Sequence, residues 1–516
     1  MAYPLLAFMA PLFLLAGAFV AFRNPGMRPG RVPRIAEWLA LAAFAIAFLA
    51  TTALTFWGPQ TSPLIGVAGI GFSARLDVVS ATMLLLVSFI GWVVLRYSAT
   101  AMDGEARQGR FTGLMSAALA SVLLIVIAGN LVQLAVGWVA TGAALQKLLL
   151  FYADRPGAQR AARKKAIVNR LGEVSLGLAI LLLIWGHSTT DIATILESAR
   201  ADMITQVAAF FLAISALLKS AQFPLHGWLT EVMEAPTPVS ALLHAGVVNG
   251  GGFLMIRFAD VMLGAPGVLA LLIMVGGFSA LFGSLVMLTQ PAIKTSLAWS
   301  TIAQMGFMIL QCGLALFPLA LLHIVAHSLY KAHAFLSASE AVEIVDAERR
   351  PGPVAIPNLR AVLLAFGIAI AIYSGIAVIA GVADKAPQTL ALGMILVLGT
   401  AYLLAQGLAG AAPRALTQRT ALYALATSIS YFALQTVATW LTSATLPPPP
   451  SAGPLEWTLI ALTLVSFASI AVAQSTFPLW ANHPAATGLR VHLANGLYAN
   501  ALFDRLVGGW AHRSRS

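Results

Sequence analysis

The sequence predicts an all-α polytopic membrane protein with about 15 transmembrane helices (13–15), of which the seventh is broken. Of its 516 residues, 59% are hydrophobic and 9% are charged, whereas soluble domains carry roughly a quarter charged residues. Apolar runs of about 17 to 25 residues, long enough to cross a hydrocarbon core of about 30 Å, recur along the whole chain. These runs are apolar on nearly every face, unlike the alternating segments of about ten residues in an outer-membrane barrel. A water-soluble enzyme is therefore excluded.

Charged residues, glycine and proline bound fifteen apolar runs, which we interpret as the spans in order. Five precede the first strongly basic loop: 4–22, 35–57, 76–95, 112–130 and 132–152. Ten follow it: 167–186, 203–232, 238–258, 265–288, 296–315, 318–338, 361–381, 388–410, 420–442 and 456–477. No stretch between them is long enough for a separate domain, so we expect a single membrane domain over residues 1–516.

Lysine and arginine accumulate in alternate loops. Loops after odd-numbered spans and the tail hold 23 of the 30 basic residues, and loops after even-numbered spans hold four. The positive-inside rule then places the amino terminus outside and the carboxyl terminus in the cytoplasm, in a multi-pass protein of the cell inner membrane. The same pattern accounts for the net charge of +11 through membrane topology and lipid, without a nucleic-acid partner.

The seventh span contains the strongest functional signal. Lys219 follows a largely apolar stretch and precedes Pro224, which lacks an N–H and clashes with the preceding turn. We therefore expect the helix to break just after Lys219 and to leave free carbonyls beside a cationic side chain. Broken helices with intramembrane charges are typical of ion-handling sites. The alternative is a lysine that only snorkels towards the interface.

Histidines and a further lysine extend this signal into the eighth and eleventh spans. His244 lies almost two turns inside a helix that begins near Pro238. His323, His327 and Lys331 are spaced by four and share one helical face. Histidine titrates near neutral pH, so these groups suit a proton relay. His244 is alternatively a hydrogen-bonded core residue, and His323 and His327 are alternatively a metal pair, although a zinc site needs further ligands and Lys331 would repel a cation.

Four segments together resemble the proton-translocating antiporter-like subunits of respiratory complex I (subunit 5) and of Mrp-type cation/proton antiporters. They are residues 219–229, 234–245, 293–306 and 327–336. The resemblance covers roughly residues 75–345, the expected antiporter-like core, and leaves 346–516 as additional C-terminal spans and a cytoplasmic tail. It implies that Lys219, His244, His327 and Lys331 lie on a hydrated ion path.

The sequence departs from this family at two places. The resemblance implies Gly-Trp-Glu in the fifth helix, with a glutamate that pairs with the seventh-helix lysine, but Gly137 and Trp138 are followed by Val139. Residues 361–410 also lack an intramembrane lysine, with only Asp384 and Lys385 in an outer turn. We take Glu173, Glu231 and Glu234 as candidate replacements for the missing carboxylate.

Residues 228–236, 310–314 and 327–337 look most like the DabB subfamily of inorganic carbon transporters. This resemblance implies a partner, DabA, a large zinc protein related to β-carbonic anhydrases. It implies that DabB passes H+ or Na+ and so energises CO2 hydration on the partner. The chain itself is then a transporter subunit with no cofactor and no catalytic residue. Its lone cysteine, Cys312, agrees with the lack of a cysteine metal cluster.

Two alternatives stay open. The first is a subunit of an Mrp-type antiporter or of NADH-quinone oxidoreductase, which the shared core motifs also fit. The second belongs to another class: a non-conducting membrane anchor for a cytoplasmic enzyme, which Val139 and the lysine-poor second half favour.

Overall fold

Helices account for almost all of the structure. The computed structural model describes residues 3–232, 235–338, 358–382, 385–409, 413–476, 480 and 483–508. A 3₁₀ turn over Tyr3–Phe8 leads into α1 Met9–Arg23, α2 Val32–Trp57, α3 Val78–Ala101, α4 Gln108–Val126, α5 Leu131–Leu149, α6 Pro156–His187, α7 Ile192–Glu197 and α8 Met203–Lys219. The chain continues through α9 Gly227–Thr230, α10 Thr237–Ala245, α11 Gly250–Arg257, α12 Ala259–Leu263, α13 Pro266–Met287, α14 Ile293–Gly313 and α15 Phe317–Ser337. The remaining helices are α16 Leu359–Ile379, α17 Pro387–Gly407, α18 Arg414–Thr442, α19 Pro454–Ser475, α20 Pro484–Ala494 and α21 Ala499–Gly508.

The described residues contain 13 helical segments that are long and apolar enough to cross a membrane. They coincide with thirteen of the fifteen predicted spans, which confirms the predicted fold class. The other two spans are also helices: α8, of 17 residues, and α14, of 21. α8 is short because it ends at the predicted break.

Four short strands between α2 and α3 were not predicted. β1 Gln60–Thr61 pairs with β4 Arg75–Leu76, and β2 Ile65–Val67 pairs with β3 Ile70–Phe72, both antiparallel. The turn between β2 and β3 has positive φ at Ala68 and Gly69, as in the tight turns that match strand twist. The pairs are too short to change the helical class.

The predicted break in the seventh span is confirmed, and the eighth span is also interrupted. α8 ends at Lys219 and helix resumes only at Gly227. α10 ends at Ala245 and passes through a 3₁₀ turn, Val247–Asn249, before α11 begins. Gly251 lets α11 approach α8 closely, because a Cβ there would lie 2.3 Å from the Ala216 carbonyl oxygen. The two interruptions therefore lie side by side.

Glycines also set the contact between α13 and α14. A Cβ on Gly276 would lie 2.6 Å from the backbone nitrogen of Leu310 and 2.7 Å from the Gly306 carbonyl oxygen. On its neighbour Gly277, the nearest atom would be a Leu310 methyl at 3.9 Å. The close contact between α13 and α14 therefore requires glycine at position 276 but not at position 277.

We therefore expect Gly276→Ala to lower the free energy of unfolding by about 1–3 kcal/mol, because backbone atoms must shift to admit the methyl group. Gly277→Ala is the matched control and should leave it unchanged or raise it by up to ~1 kcal/mol, as alanine favours helix. Thermal unfolding in detergent measures both. Equal melting temperatures for the two variants would contradict the tight contact.

A buried ion pair joins the start of α3 to the end of α11. Arg257 donates from Nη1 to Asp77 Oδ2 at 2.5 Å and from Nη2 to Ser80 Oγ at 2.6 Å. Asp77 also caps α3 by accepting from the Ser80 backbone N–H at 2.9 Å, and it accepts from Arg75 Nε at 2.9 Å. Burial would raise the pKa of Asp77, but Arg257 and then Arg75 outweigh it and hold that pKa well below its usual range.

The C-terminal segment folds back onto the end of the bundle where α6 begins. The Gln290 side-chain amide donates to the Ala494 carbonyl at 3.3 Å. Asn500 of α21 packs against Gly227, where a Cβ would lie 2.0 Å from Asn500 Oδ1. We call this end of the bundle the tail end.

Candidate functional site

Lys219 lies at the helix break and is buried, with 8% of its surface exposed. Its Nζ makes no hydrogen bond to any described residue. It lies 4.5 Å from the centre of the Trp138 ring, within range of a cation–π contact. The Trp138 ring of α5 is thus an aromatic partner of the Lys219 ammonium group.

Two small cavities flank Lys219. The first, of about 10 Å³, is lined by Trp138, Lys165, Val168, Asn169, Gly172, Ser215, Leu218, Lys219, Trp228 and Val247. The second, of about 20 Å³, is lined by Met83, Val87, Val122, Ile125, Val126, Trp138, Thr141, Lys219, Gly246, Val247, Gly250 and Phe253. Each has room for about one water molecule, so water can provide the hydrogen bonds that Lys219 lacks.

A polar stripe of α6 runs alongside: Lys165, Asn169 and Glu173, spaced by four residues. Asn169 Nδ2 donates to Glu173 Oε1 at 2.7 Å, and Arg170 donates to Glu173 Oε2 at 2.6 Å. Gly142 of α5 makes room for this stripe, because a Cβ there would lie 2.2 Å from Asn169 Nδ2 and 2.9 Å from Glu173 Oε1. Glu173 therefore packs against α5 one turn beyond Val139.

The other two candidate carboxylates have different positions. Glu231 pairs with Lys164 and accepts from the Asn500 amide at 2.8 Å, so its observed partners do not include Lys219. Glu234 lies outside the described residues. Of the described candidates, Glu173 is the one that belongs to the α6 stripe. Two other members of this stripe, Lys165 and Asn169, line the first cavity.

His244 is fully buried in α10. Its ring stacks on Phe335, with centroids 4.3 Å apart, and its Nδ1 lies 3.1 Å from Thr301 Oγ1. Its Nε2 has no hydrogen-bond partner in the described part of the chain. His327 Nε2 donates to the His244 carbonyl oxygen at 3.3 Å, which joins α10 to α15.

The stripe on α15 continues in both directions from His327. Lys331 is buried and its Nζ donates to the Leu297 carbonyl at 3.0 Å. In the other direction the His323 ring lies 5.9 Å from the His327 ring, centre to centre. The neighbouring Ser328 accepts from Asn249 Nδ2 at 2.7 Å. Asn249 and Ser328 line a third small cavity. It shares Met83, Val87 and Gly246 with the second cavity, which lies beside Lys219.

His323 ends this series at a much larger cavity of about 550 Å³. Its lining residues belong to α14, α15, α17 and α18: Phe307, Gln311, Leu319, Leu322, His323, Ala326, Leu392, Leu396, Tyr423, Ala426, Thr427, Ser430, Tyr431 and Leu434. His323 Nε2 and Gln311 Oε1 are buried there without a partner among the described residues. Unpaired polar atoms beside open space are sites for water.

The structure thus places His244, His323, His327 and Lys331 along α10 and α15, and Lys219 on a cavity that shares lining residues with the one beside Asn249 and Ser328. Sequence reasoning missed Lys165, because we assigned it to a basic loop; the available signal was the spacing of four from Lys165 to Asn169 and from Asn169 to Glu173. Among the described residues, no group of three histidine, cysteine or acidic side chains is placed to hold a metal ion.

Fold and site together define a class: the antiporter-like membrane subunits of ion-translocating complexes. The family described as "NADH:quinone oxidoreductase/Mrp antiporter, TM" matches residues 128–386, and that described as "NADH-Ubiquinone oxidoreductase (complex I), chain 5 N-terminus" matches residues 65–112. The chain is 36% identical, over 98% of its length and 93% of the relative, to the probable inorganic carbon transporter subunit DabB2 of Halothiobacillus neapolitanus. It is 45% identical, over 51% of its length and 52% of the relative, to the probable DabB of Hydrogenovibrio crunogenus. The chain belongs to the complex I subunit 5 and Mrp antiporter family, in its DabB branch.

Solved structures share the fold at lower identity. A chain of the Mrp complex from Dietzia sp. DQ12-45-1b has a TM-score of 0.60 and 22% identity over 100% of this chain and 61% of its own. A chain of respiratory complex I from Thermus thermophilus has a TM-score of 0.57 and 19% identity over 95% of this chain and 99% of its own. The protein is a multi-pass membrane protein, and its relatives are membrane subunits of the transporter or antiporter type.

Proposed function

We propose that this chain is the ion-conducting subunit of an energy-coupled inorganic carbon pump. In this proposal H+ or Na+ moves down its gradient through the chain and drives CO2 hydration on a DabA-type zinc protein. The observation that carries the proposal is the pair of adjacent cavities beside Lys219 and beside Asn249 and Ser328, from which His327 and His323 continue along α15. A soluble-enzyme anchor has no need of buried charges that cost several kcal/mol to insert.

Lys219 is the central carrier in this proposal. Its position at a helix break, between two water-sized cavities, lets it exchange a proton with water on either side. The His244–His327 contact and Lys331 extend the series along α15. Among the described residues Lys219 has no ion pair, which favours a group whose charge changes during turnover.

Glu173 is the proposed replacement for the carboxylate that Val139 lacks. It lies on the same α6 face as Lys165, and the space left by Gly142 holds it against α5. Asn169 fixes its orientation through the 2.7 Å hydrogen bond. A negative charge at this position lowers the cost of a cation in the first cavity.

In this proposal the partner holds the zinc and performs the catalysis. The chain lies in the cell inner membrane, with its amino terminus outside and its carboxyl terminus in the cytoplasm. The tail end would then face the cytoplasm, which is the side on which a CO2-hydrating partner would release bicarbonate.

The test is inorganic carbon uptake in a carbonic-anhydrase-deficient host that expresses this chain with its candidate partner. We expect uptake by the wild type, and its loss both with an uncoupler and in Lys219→Met at matched membrane abundance. Uptake that is indifferent to both treatments would contradict ion coupling and favour the membrane anchor. Absence of uptake in the wild type would contradict the carbon pump.

The second candidate is a cation/proton antiporter subunit, which the likeness in fold to the Mrp chain favours. It predicts Na+/H+ exchange that needs further membrane subunits and no zinc protein. Vesicles that contain this chain with the DabA-type partner alone would then show neither exchange nor carbon uptake.

A further inference from the structure

Lys165 is a further buried lysine, beside the proposed ion path. It lies in α6, 3% exposed, with its Nζ 5.6 Å from the centre of the Trp228 ring. No hydrogen bond or ion pair joins it to another described residue. A buried ammonium group without a partner is costly, so its position calls for an explanation beyond topology.

The first cavity connects Lys165 to Lys219. Both side chains line it, together with Ser215 and Asn169. Its volume of about 10 Å³ fits about one water molecule. A single water between two lysines is a short bridge for proton exchange.

The adjacent Lys164 has the opposite environment. Its side chain is 2% exposed and pairs with Glu231 and with Asp504, the latter at 2.6 Å. It also donates to Asn500 Oδ1 at 2.8 Å. Asn500 and Asp504 belong to α21, so these contacts fasten the C-terminal helix onto the tail end.

The residues under α21 are sequence neighbours of the cavity lining. Gly227, against which Asn500 packs, precedes Trp228, and Lys164 precedes Lys165. Trp228 Nε1 and Glu231 Oε2 are buried without a partner among the described residues. Buried polar atoms usually bond to protein or to ordered water, so water can bind at these two atoms.

We propose that protons reach Lys219 through Lys165, from the tail end, and that α21 covers this access route while Lys164 holds α21 in place. The proposal rests on the ion conduction proposed above. It adds a relay residue and a removable cover to that path. Any event that separates α21 from Lys164 opens the route.

The role of Lys165 is tested by proton flux into proteoliposomes that contain the full chain with its DabA-type partner. We expect Lys165→Met to lower the flux about tenfold, and Lys165→Arg to recover part of it. Lys147→Met is the matched control, because Lys147 is an exposed lysine on the neighbouring α5. Normal flux in Lys165→Met, with Lys219→Met inactive, would overturn the role of Lys165. Equal flux in the wild type and Lys219→Met would instead refute the proposed ion conduction.

The cover is tested without ion flow, by thiol labelling from the tail end. Val168→Cys puts a thiol on the cavity lining, in a Cys312→Ser background that removes the native cysteine. We expect a membrane-impermeant reagent to label Val168→Cys about ten times faster when Asn500→Ala and Asp504→Asn are added. Arg505→Gln, on the exposed side of α21, should leave the rate unchanged. The same slow rate in all three proteins would overturn the cover.

Discussion

Lys219→Met is expected to lower ion flux through the chain by at least tenfold, which corresponds to about 1.4 kcal/mol or more on the barrier. Methionine matches the length of the lysine stem but carries no proton, so the exchange between the two flanking cavities is lost. The measurement is proton or sodium uptake into proteoliposomes under a fixed gradient. Comparing the two ions also identifies which of them the chain carries.

Two further measurements separate this loss from misfolding. The melting temperature of Lys219→Met should match or exceed that of the wild type, because the variant removes a buried group that has no hydrogen bond to a described residue. Lys147→Met should conduct normally. Retained flux in a folded Lys219→Met protein would exclude Lys219 as the central carrier.

Asp77→Asn should destabilise the fold by about 3–5 kcal/mol, because it leaves the Arg257 guanidinium buried without its counter-charge. The change lies at the α3–α11 contact and outside the ion path. Thermal unfolding in detergent measures the effect. Since the pKa of Asp77 is lowered in the folded protein, the stability from this group is present above its unfolded pKa and lost as the pH falls towards the folded value.

The control for this prediction is an exposed ion pair of the same chemistry. Arg28 Nε and Asp103 Oδ1 lie 3.2 Å apart, and their side chains are 70% and 55% exposed. Asp103→Asn should change the free energy of unfolding by about 0–1 kcal/mol, as solvent screens exposed pairs. A similar loss of unfolding free energy in Asp77→Asn and Asp103→Asn would contradict burial as the cause of the large effect at Asp77.

Much of the fold was predictable because few kinds of backbone structure can span a bilayer. Length and apolarity alone identify a spanning helix, and Pro224 alone predicts the break after Lys219. The interruption at Gly246 has no proline within it, and its glycines fit an unbroken helix equally well. It depends on the approach of α11 to α8, which is a tertiary contact that local sequence does not encode.

The site was predicted in part for the same reason. Spacing of four aligns His323, His327 and Lys331 on one face, whatever the neighbouring helices do. Lys165 was missed because α6 begins at Pro156, well before the predicted start at 167, and the preceding arginines resemble a solvated loop. Only the packing of α6 against α8 distinguishes a buried lysine from a basic one at the membrane surface.

The Asp77–Arg257 pair also imposes an order on biogenesis. The two residues are 180 positions apart in sequence, so at about 5–20 residues per second the ribosome needs roughly 9 to 36 s to supply the second after the first. During that interval the Asp77 carboxylate at the start of α3 has Arg75, two residues before it in sequence, as its basic partner, but not yet the buried guanidinium of Arg257. The first seven spans are thus inserted before they can dock fully. Their docking is completed only when α11 arrives.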